Sequence, residues 1–267
     1  MTSGFQAEAS RRGRGSPGLD RKVFLRPIAH RGLHGANTGR VENTAPAFLA
    51  AIDKGYGIEC DLQAAEDGTP MVFHDPKLDR LVAATGPIAQ YTPAKLARLR
   101  YKGQSERILT FAQLLALVDG RVPLLVEVKA NDATARGVFL DKIARAARGY
   151  HGPIALMSFN RSIVAELGVR APKVPRGRVV GSQQILSALW AGRRAKRAGP
   201  ARPRLLAPSR DGVAFYAVDV KLVAMARKWL TRNALDLPLF TWTVRTPRQR
   251  AVAARWADAP IFEGIEP

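Results

Sequence analysis

Short apolar runs of strand length alternate with longer stretches of helical periodicity over most of this chain. Strands are predicted at Phe24–Ala29, Tyr56–Leu62, Pro70–Phe73, Pro123–Val128, Pro153–Met157, Arg178–Val180, Leu205–Ala207, Leu239–Val244 and Pro260–Phe262. Helices are predicted at Thr44–Lys54, Thr92–Leu99, Phe111–Val118, Ala133–Arg148, Arg161–Leu167, Gln183–Arg197, Val218–Asn233 and Pro247–Trp256. That rhythm describes βα units feeding a parallel sheet. Thr44 and Thr246 stand as caps before Pro46 and Pro247, where a missing N–H costs little, and Gly55 and Gly149 sit where helices should stop. The count is roughly eight βα repeats, with an extra piece between Phe73 and Thr110. Eight parallel strands can close into a barrel or stay open. No glycine-rich phosphate loop follows the first strand, which argues against the doubly wound sheet.

Length and composition narrow the picture. The 267 residues suit one α/β barrel, which typically takes about 250. Hydrophobic residues at 46% and charged residues at 24% are ordinary for a globular protein. The single cysteine, Cys60, excludes an internal disulfide and favours a reducing compartment. No apolar run approaches the roughly 18 residues that span a bilayer. The arginines near the N-terminus precede no apolar stretch, so a secretory signal is not expected and the expected location is the cytoplasm. Residues 1–21 read as a flexible basic arm, and residues 22–267 as one barrel domain.

The charge balance is unusual, with 42 Lys+Arg against 22 Asp+Glu and a formal net charge of +20. The excess gathers at Arg11, Arg12, Arg14, Arg21, Lys22 and Arg26, and again at Arg193, Arg194, Lys196, Arg197, Arg202, Arg204 and Arg210. Two readings stay open: a coding bias that places arginine on solvated helix faces, or a real anionic surface partner such as a membrane. A sequence-specific nucleic-acid binder is disfavoured, because no such motif is present and aromatic residues make up only 7%.

Chemistry concentrates at the C-terminal ends of predicted strands, the end at which barrels assemble active sites. The first strand ends in Ala29-His30-Arg31-Gly32, the second reads Gly57-Ile58-Glu59-Cys60-Asp61-Leu62, a short one ends in Phe73-His74-Asp75, and another reads Val126-Glu127-Val128-Lys129. Alternation puts Glu59 and Asp61 on one face and Cys60 on the other, and likewise pairs Glu127 with Lys129. If that face is the barrel interior, three carboxylates converge at one mouth and a divalent cation is their natural neutraliser. All-oxygen donors suit Mg²⁺ or Ca²⁺, with Mn²⁺ a third possibility. His30 and His74, two of four histidines, could divide general base and general acid work. Arg31 and Lys129 would supply positive charge for a phosphate oxygen.

In this order the motifs resemble those of the glycerophosphodiester phosphodiesterases. The matching runs are those above together with Glu42-Asn43-Thr44, Asp67-Gly68-Thr69-Pro70, His74-Asp75-Pro76, Leu78-Asp79-Arg80, Ser158-Phe159 and Thr241-Trp242-Thr243-Val244. The resemblance implies a TIM (β/α)₈ barrel with a small insertion after strand two, at about residues 74–110. It also implies hydrolysis of glycerophosphodiesters to glycerol 3-phosphate and an alcohol. It assigns one divalent cation to Glu59, Asp61 and Glu127, the acid/base pair to His30 and His74, and phosphate binding to Arg31 and Lys129. Glu42 would orient its neighbours and Trp242 would pack on the glycerol moiety. The chain departs from the family pattern at Arg245, at the Ile261–Pro267 end, and in the loop between Gly32 and Glu42, which adds His34 and Arg40. Lipid-sized phosphodiesters, in a lysophospholipase D-like reaction at an anionic membrane surface, are the alternative substrate class. A non-enzymatic polyanion binder is the remaining one.

Overall fold

The computed structural model describes residues 16–35, 38–129, 136–182, 206 and 212–267. Nine strands run as β1 (Ile28–His30), β2 (Gly57–Ala64), β3 (Pro70–Val72), β4 (Leu124–Val128), β5 (Ile154–Ser158), β6 (Arg176–Val180), β7 (Phe215–Asp219), β8 (Leu239–Val244) and β9 (Ala259–Phe262). Helices among the described residues are α1 (Arg21–Phe24), α2 (Ala45–Asp53), α3 (Pro93–Leu96), α4 (Phe111–Val118), α5 (Arg136–Gly149), α6 (Arg161–Arg170), α7 (Val223–Arg232) and α8 (Pro247–Trp256). None of the described helices is long and apolar enough to cross a membrane.

Eight of the strands form a closed parallel barrel in the order β1, β2, β4, β5, β6, β7, β8, β9 and back to β1. The closing register pairs Ile28 with Gly57 on one side and with Ile261 on the other. A parallel barrel is covered on both faces, so its strands are apolar almost throughout. Every residue of β2 is buried, Glu59, Asp61 and Gln63 included.

Alternation sorts the side chains into two layers. Cys60, Leu62, Val126 and Val128 face outward into the core shared with the helices. Ile28, Leu125, Met157, Val179, Phe215 and Phe240 fill the barrel interior. Phe215 and Phe240 meet edge to face at 5.4 Å, a favoured aromatic geometry. Space for Phe215 depends on Gly177, where a Cβ would come within 2.2 Å of that ring.

The ninth strand, β3, turns back antiparallel on β2 and opens the insertion. Phe73, Leu78, Val82, Ile88, Leu96 and Tyr101 give this segment a small core of its own. The amide of Phe73 donates to the Asp61 carbonyl, and Gln63 Nε2 donates to the His74 carbonyl at 2.7 Å. The insertion therefore delivers His74 to the C-terminal end of β2.

Several boundaries differ from the sequence reading. Phe24, expected to begin the first strand, closes the helical turn α1, because Asp20 caps it by accepting from the amides of Lys22 and Val23. Of the arm expected over residues 1–21, residues 1–15 lie outside the described residues; in the rest, Leu19 is buried and Ser16 Oγ accepts from the Arg176 amide. Val218, expected to begin a helix, lies in β7; Phe215-Tyr216-Ala217-Val218 is apolar on both faces and carries no period to separate strand from helix. The strand expected at Leu205–Ala207 and the helix expected at Gln183–Arg197 fall almost wholly outside the described residues, as does the second basic cluster. Thr44 sits at the N-cap of α2 without capping it, since its hydroxyl donates instead to the Val41 carbonyl at 2.7 Å. Thr246 does cap α8, accepting from the Gln249 amide.

Gly177→Ala should be among the costliest single-methyl additions in this barrel. The new Cβ must displace a packed aromatic ring, and overpacking of this kind costs about 1–3 kcal/mol. In a chain of this size that lowers the melting temperature by about 2–4 °C per kcal/mol. A thermal melt matching the parent would show that the interior yields around Phe215.

Candidate functional site

The barrel's C-terminal mouth holds the charged residues that the sequence singled out. Register alone places two pairs of them side by side, because Asp61 pairs with Glu127 across β2 and β4 and His30 pairs with Glu59 across β1 and β2. Glu59, Asp61 and Glu127 each place a carboxylate oxygen within 4.8 Å of the others, all buried. The expected inward convergence is what the fold produces.

The energetic consequences are opposite within this trio. Burial, reinforced by the charges of Asp61 and Glu127, pushes the Glu59 carboxyl well above the ordinary range. Burial also raises Glu127. Asp61 goes the other way: burial opposes its charge, but Lys129 and Arg31 hold it well below the usual value. Lys129 Nζ lies 2.9 Å from Asp61 Oδ1 and 2.7 Å from Glu127 Oε1, so it stands where a cation is wanted. Three buried carboxylates, two of them resisting ionisation, fit a hard divalent cation by donor type and by charge.

Arg31 reaches this cluster from a strained loop. Its φ of 57° is left-handed. The turn lets the Arg31 amide donate to Glu59 Oε2 at 3.2 Å while its side chain pairs with Glu42 at 2.8 Å and lies 3.2 Å from Asp61. Gly32 follows at φ 80°, where a Cβ would strike the Ala47 backbone at 2.8 Å, so the loop can cross α2 here only as glycine. Glu42 bridges Arg31 and Arg80, accepting from the latter at 2.9 and 2.7 Å. Burial works to raise the Glu42 carboxyl, but those hydrogen bonds and the Arg31 charge hold it below the ordinary range.

The histidines share one arrangement. His30 Nδ1 lies 2.7 Å from Glu263 Oε2, and Arg245 donates to the same carboxylate at 2.9 Å. His74 Nδ1 lies 2.6 Å from Asp75 Oδ1, and Arg80 donates to Asp75 Oδ2 at 2.6 Å. Each imidazole is thus backed by a carboxylate and each carboxylate by an arginine, which leaves Nε2 as the nitrogen free to act. On the His30 side that nitrogen is 3.9 Å from Glu59. Burial lowers His30 to about 4 despite its bond to Glu263. Burial also lowers His74. Trp242 closes one side of the interior: its indole N–H donates to the Ala217 carbonyl at 3.1 Å and its ring meets Phe159 edge-on at 5.4 Å.

All nine residues singled out from sequence thus lie at or beside this mouth, with Trp242 on its apolar wall. Four partners were not assigned roles from sequence. Asn43 donates to Asp61 Oδ2 at 3.0 Å and orients it. Asp75 and Arg80 lie within the recognised runs, yet no spacing rule joins Arg80 to a glutamate 38 positions away. Glu263 had one available signal, an acidic residue just past the C-terminal end of a barrel strand. Arg245, where the chain departs from the family pattern, is paired with Glu263.

The sequence profile of the glycerophosphoryl diester phosphodiesterase family matches residues 30–263. A glycerophosphodiester phosphodiesterase of Caldanaerobacter subterraneus subsp. tengcongensis is 29% identical over 160 residues, which are 56% of this chain and 64% of that relative. A Mycobacterium tuberculosis relative is 28% identical over 171 residues, 55% of this chain and 61% of its own length. The chain thus spans less than two thirds of the length of these relatives. Among solved structures, a phosphodiesterase of Oleispira antarctica in complex with the product sn-glycerol-3-phosphate superimposes with a TM-score of 0.70 at 19% identity, covering 89% of this chain and 92% of that one. A glycerophosphodiester phosphodiesterase of Agrobacterium tumefaciens gives a TM-score of 0.66 at 20% identity, with 89% and 95% covered. At these identities the structural likeness carries the fold.

A test of the carboxylate cluster needs no substrate. Glu59 holds its proton more tightly folded than unfolded, so as pH rises from the ordinary carboxylate range toward that raised value the unfolded chain releases its proton first and stability falls. Glu59→Gln should therefore raise the melting temperature of metal-free protein at neutral pH, by about 2–4 °C for each kcal/mol of repulsion relieved. It should also erase any melting increment that Mg²⁺ or Ca²⁺ gives the parent. A metal increment surviving Glu59→Gln would place the cation elsewhere.

Proposed function

Because the chain belongs to the glycerophosphoryl diester phosphodiesterase family, we propose that it hydrolyses glycerophosphodiesters to glycerol 3-phosphate and an alcohol, using His30 and His74 beside a divalent cation held by Glu59, Asp61 and Glu127. The observation that carries this reading is the pair of histidines, each fixed through Nδ1 by its own carboxylate next to the three-carboxylate cluster.

The cation, when bound, supplies Lewis acidity toward a phosphate oxygen and the glycerol hydroxyl. The remaining work falls to side chains. His30 is held neutral at physiological pH by burial, which suits it to take the proton of the glycerol 2-hydroxyl. The hydroxyl oxygen then attacks phosphorus, and the bond to the leaving alkoxide breaks as that oxygen receives a proton from His74. A cyclic glycerol phosphate remains. Water opens it with the roles exchanged, His74 taking the water's proton and His30 returning one to the 2-oxygen, so both imidazoles end as they began.

Arg31 and Lys129 supply positive charge for the phosphoryl oxygens, although in the free protein both are engaged with the carboxylates. Substrate phosphate therefore has to share these cations with Asp61, Glu127 and Glu42. Trp242 and Phe159 form an apolar wall against which the glycerol carbons can pack.

The deciding assay measures glycerol 3-phosphate released from glycerophosphocholine, glycerophosphoethanolamine and glycerophosphoglycerol with Mg²⁺, Ca²⁺, Mn²⁺ or EDTA. Metal-dependent release that EDTA abolishes is expected, with His30→Ala and His74→Ala each lowering kcat about 10²–10⁴-fold, the usual worth of a general acid or base. Near-normal turnover in either variant would remove that histidine from the chemistry. Release from lysophospholipid alone would shift the substrate class to lipid-sized diesters.

A further inference from the structure

The loop that follows Gly32 places His34 beside His30 and Glu263. One ring nitrogen of each histidine and one carboxylate oxygen of Glu263 all lie within 4.8 Å of one another. Buried His34 Nε2 has no hydrogen-bond partner among the described residues, a costly arrangement for a polar atom unless a ligand satisfies it. The carboxylates of Glu263 and Glu42 and the cations of Arg31 and Arg245 make up its charged surroundings. Two imidazoles and one carboxylate form a different donor set from the all-oxygen trio: borderline-soft ions such as zinc prefer it, and Mg²⁺ does not. The two sets share no residue.

From this geometry we infer that His30, His34 and Glu263 form a second metal site, which takes a zinc-class transition ion. Its consequence rests on the phosphodiesterase reading above: an ion held there engages His30 and its partner Glu263, so it withdraws His30 from proton transfer and switches the hydrolase off. Arg245 is the built-in competitor. It pairs with the carboxylate that the ion needs, at 2.9 Å, while about half of its side chain is exposed and free to swing away. The hydrolase centre keeps its own hard cation throughout, since none of Glu59, Asp61 and Glu127 is called on.

The full chain saturated with Mg²⁺ is titrated with Co²⁺, followed by visible d–d absorption, and separately with Zn²⁺, followed by turnover. The parent should bind one Co²⁺ with the absorption of a low-coordinate nitrogen-containing site and should lose activity to Zn²⁺. His34 takes no part in the proposed hydrolysis, so His34→Ala and His34→Asn should turn over as the parent does. Both should lose Co²⁺ and Zn²⁺ affinity by about tenfold or more, at least the loss that follows removal of a mere outer-shell partner. Arg245→Ala should tighten both. Identical Co²⁺ spectra and zinc sensitivity in the parent and either folded His34 variant would overturn the site. The absorption arm decides even in a preparation without turnover. A Co²⁺ site lost with His34 in an inactive protein sinks only the phosphodiesterase reading, and normal Mg²⁺-dependent turnover without such a site sinks only the inference.

Discussion

Mutual repulsion among Glu59, Asp61 and Glu127, imposed by barrel closure, is the constraint around which this structure is arranged. Parallel pairing of β2 with β4 sets Asp61 beside Glu127, and pleating sends Glu59 to the same face. Taking three like charges out of water is unfavourable unless positive charge is brought in with them. The protein brings it from two directions, Lys129 from two residues beyond Glu127 and Arg31 from the left-handed turn after β1. Even so, Glu59 remains reluctant to ionise. Stability and cation fit are opposed here: a glutamine at this position relieves the repulsion, and the repulsion is what fits the cluster to a cation.

The same logic extends outward to the histidines. A buried imidazole prefers to be neutral, and its two nitrogens must then be told apart by what each faces. Glu263 and Asp75 do this by taking Nδ1, and Arg245 and Arg80 keep those carboxylates ionised. Burial opposes charge on Glu263, yet its bonds to His30 and Arg245 hold it well below the usual carboxylate range. The two backing systems are not alike in their connections. Arg80 also grips Glu42, which grips Arg31, so the His74 side is mechanically tied to the carboxylate cluster. The His30 side is backed by Glu263, which pairs with one half-exposed arginine, and it is the side on which His34 adds a further donor.

Most of the barrel was legible because β-strand alternation and helix periodicity are local signals. The two layers of β2 could be assigned from Glu59, Cys60 and Asp61, and those of β4 from Glu127 and Lys129, and the outward Cys60 and inward carboxylates follow. Where local signal failed, the reasons were physical. Phe215–Asp219 is buried on both faces and has no period to read, so its last residues were merged with the following helix. Thr44 has the right identity for a cap, but a nearby carbonyl competes for its hydroxyl. Partnerships such as Arg80 with Glu42, Asn43 with Asp61 and His30 with Glu263 join residues 18 to 233 positions apart. Only the closed barrel brings those pairs together.

Net charge gives the clearest case of a global quantity misdescribing a local one. The chain carries +20, yet among the described residues the mouth of the barrel gathers six carboxylates, Glu42, Glu59, Asp61, Asp75, Glu127 and Glu263, against four fixed cations, Arg31, Arg80, Lys129 and Arg245. A polyanion-binding surface would need the reverse. An acidic centre inside a basic envelope does two separable things. The long-range field attracts anions and weakens with salt, while the short-range surplus of carboxylate favours a metal cation over an anion. On the proposed function, substrate would settle only where a bound cation and the flanking Arg31 and Lys129 had offset that surplus, so that the metal, rather than the net charge, would control phosphodiester binding at this mouth.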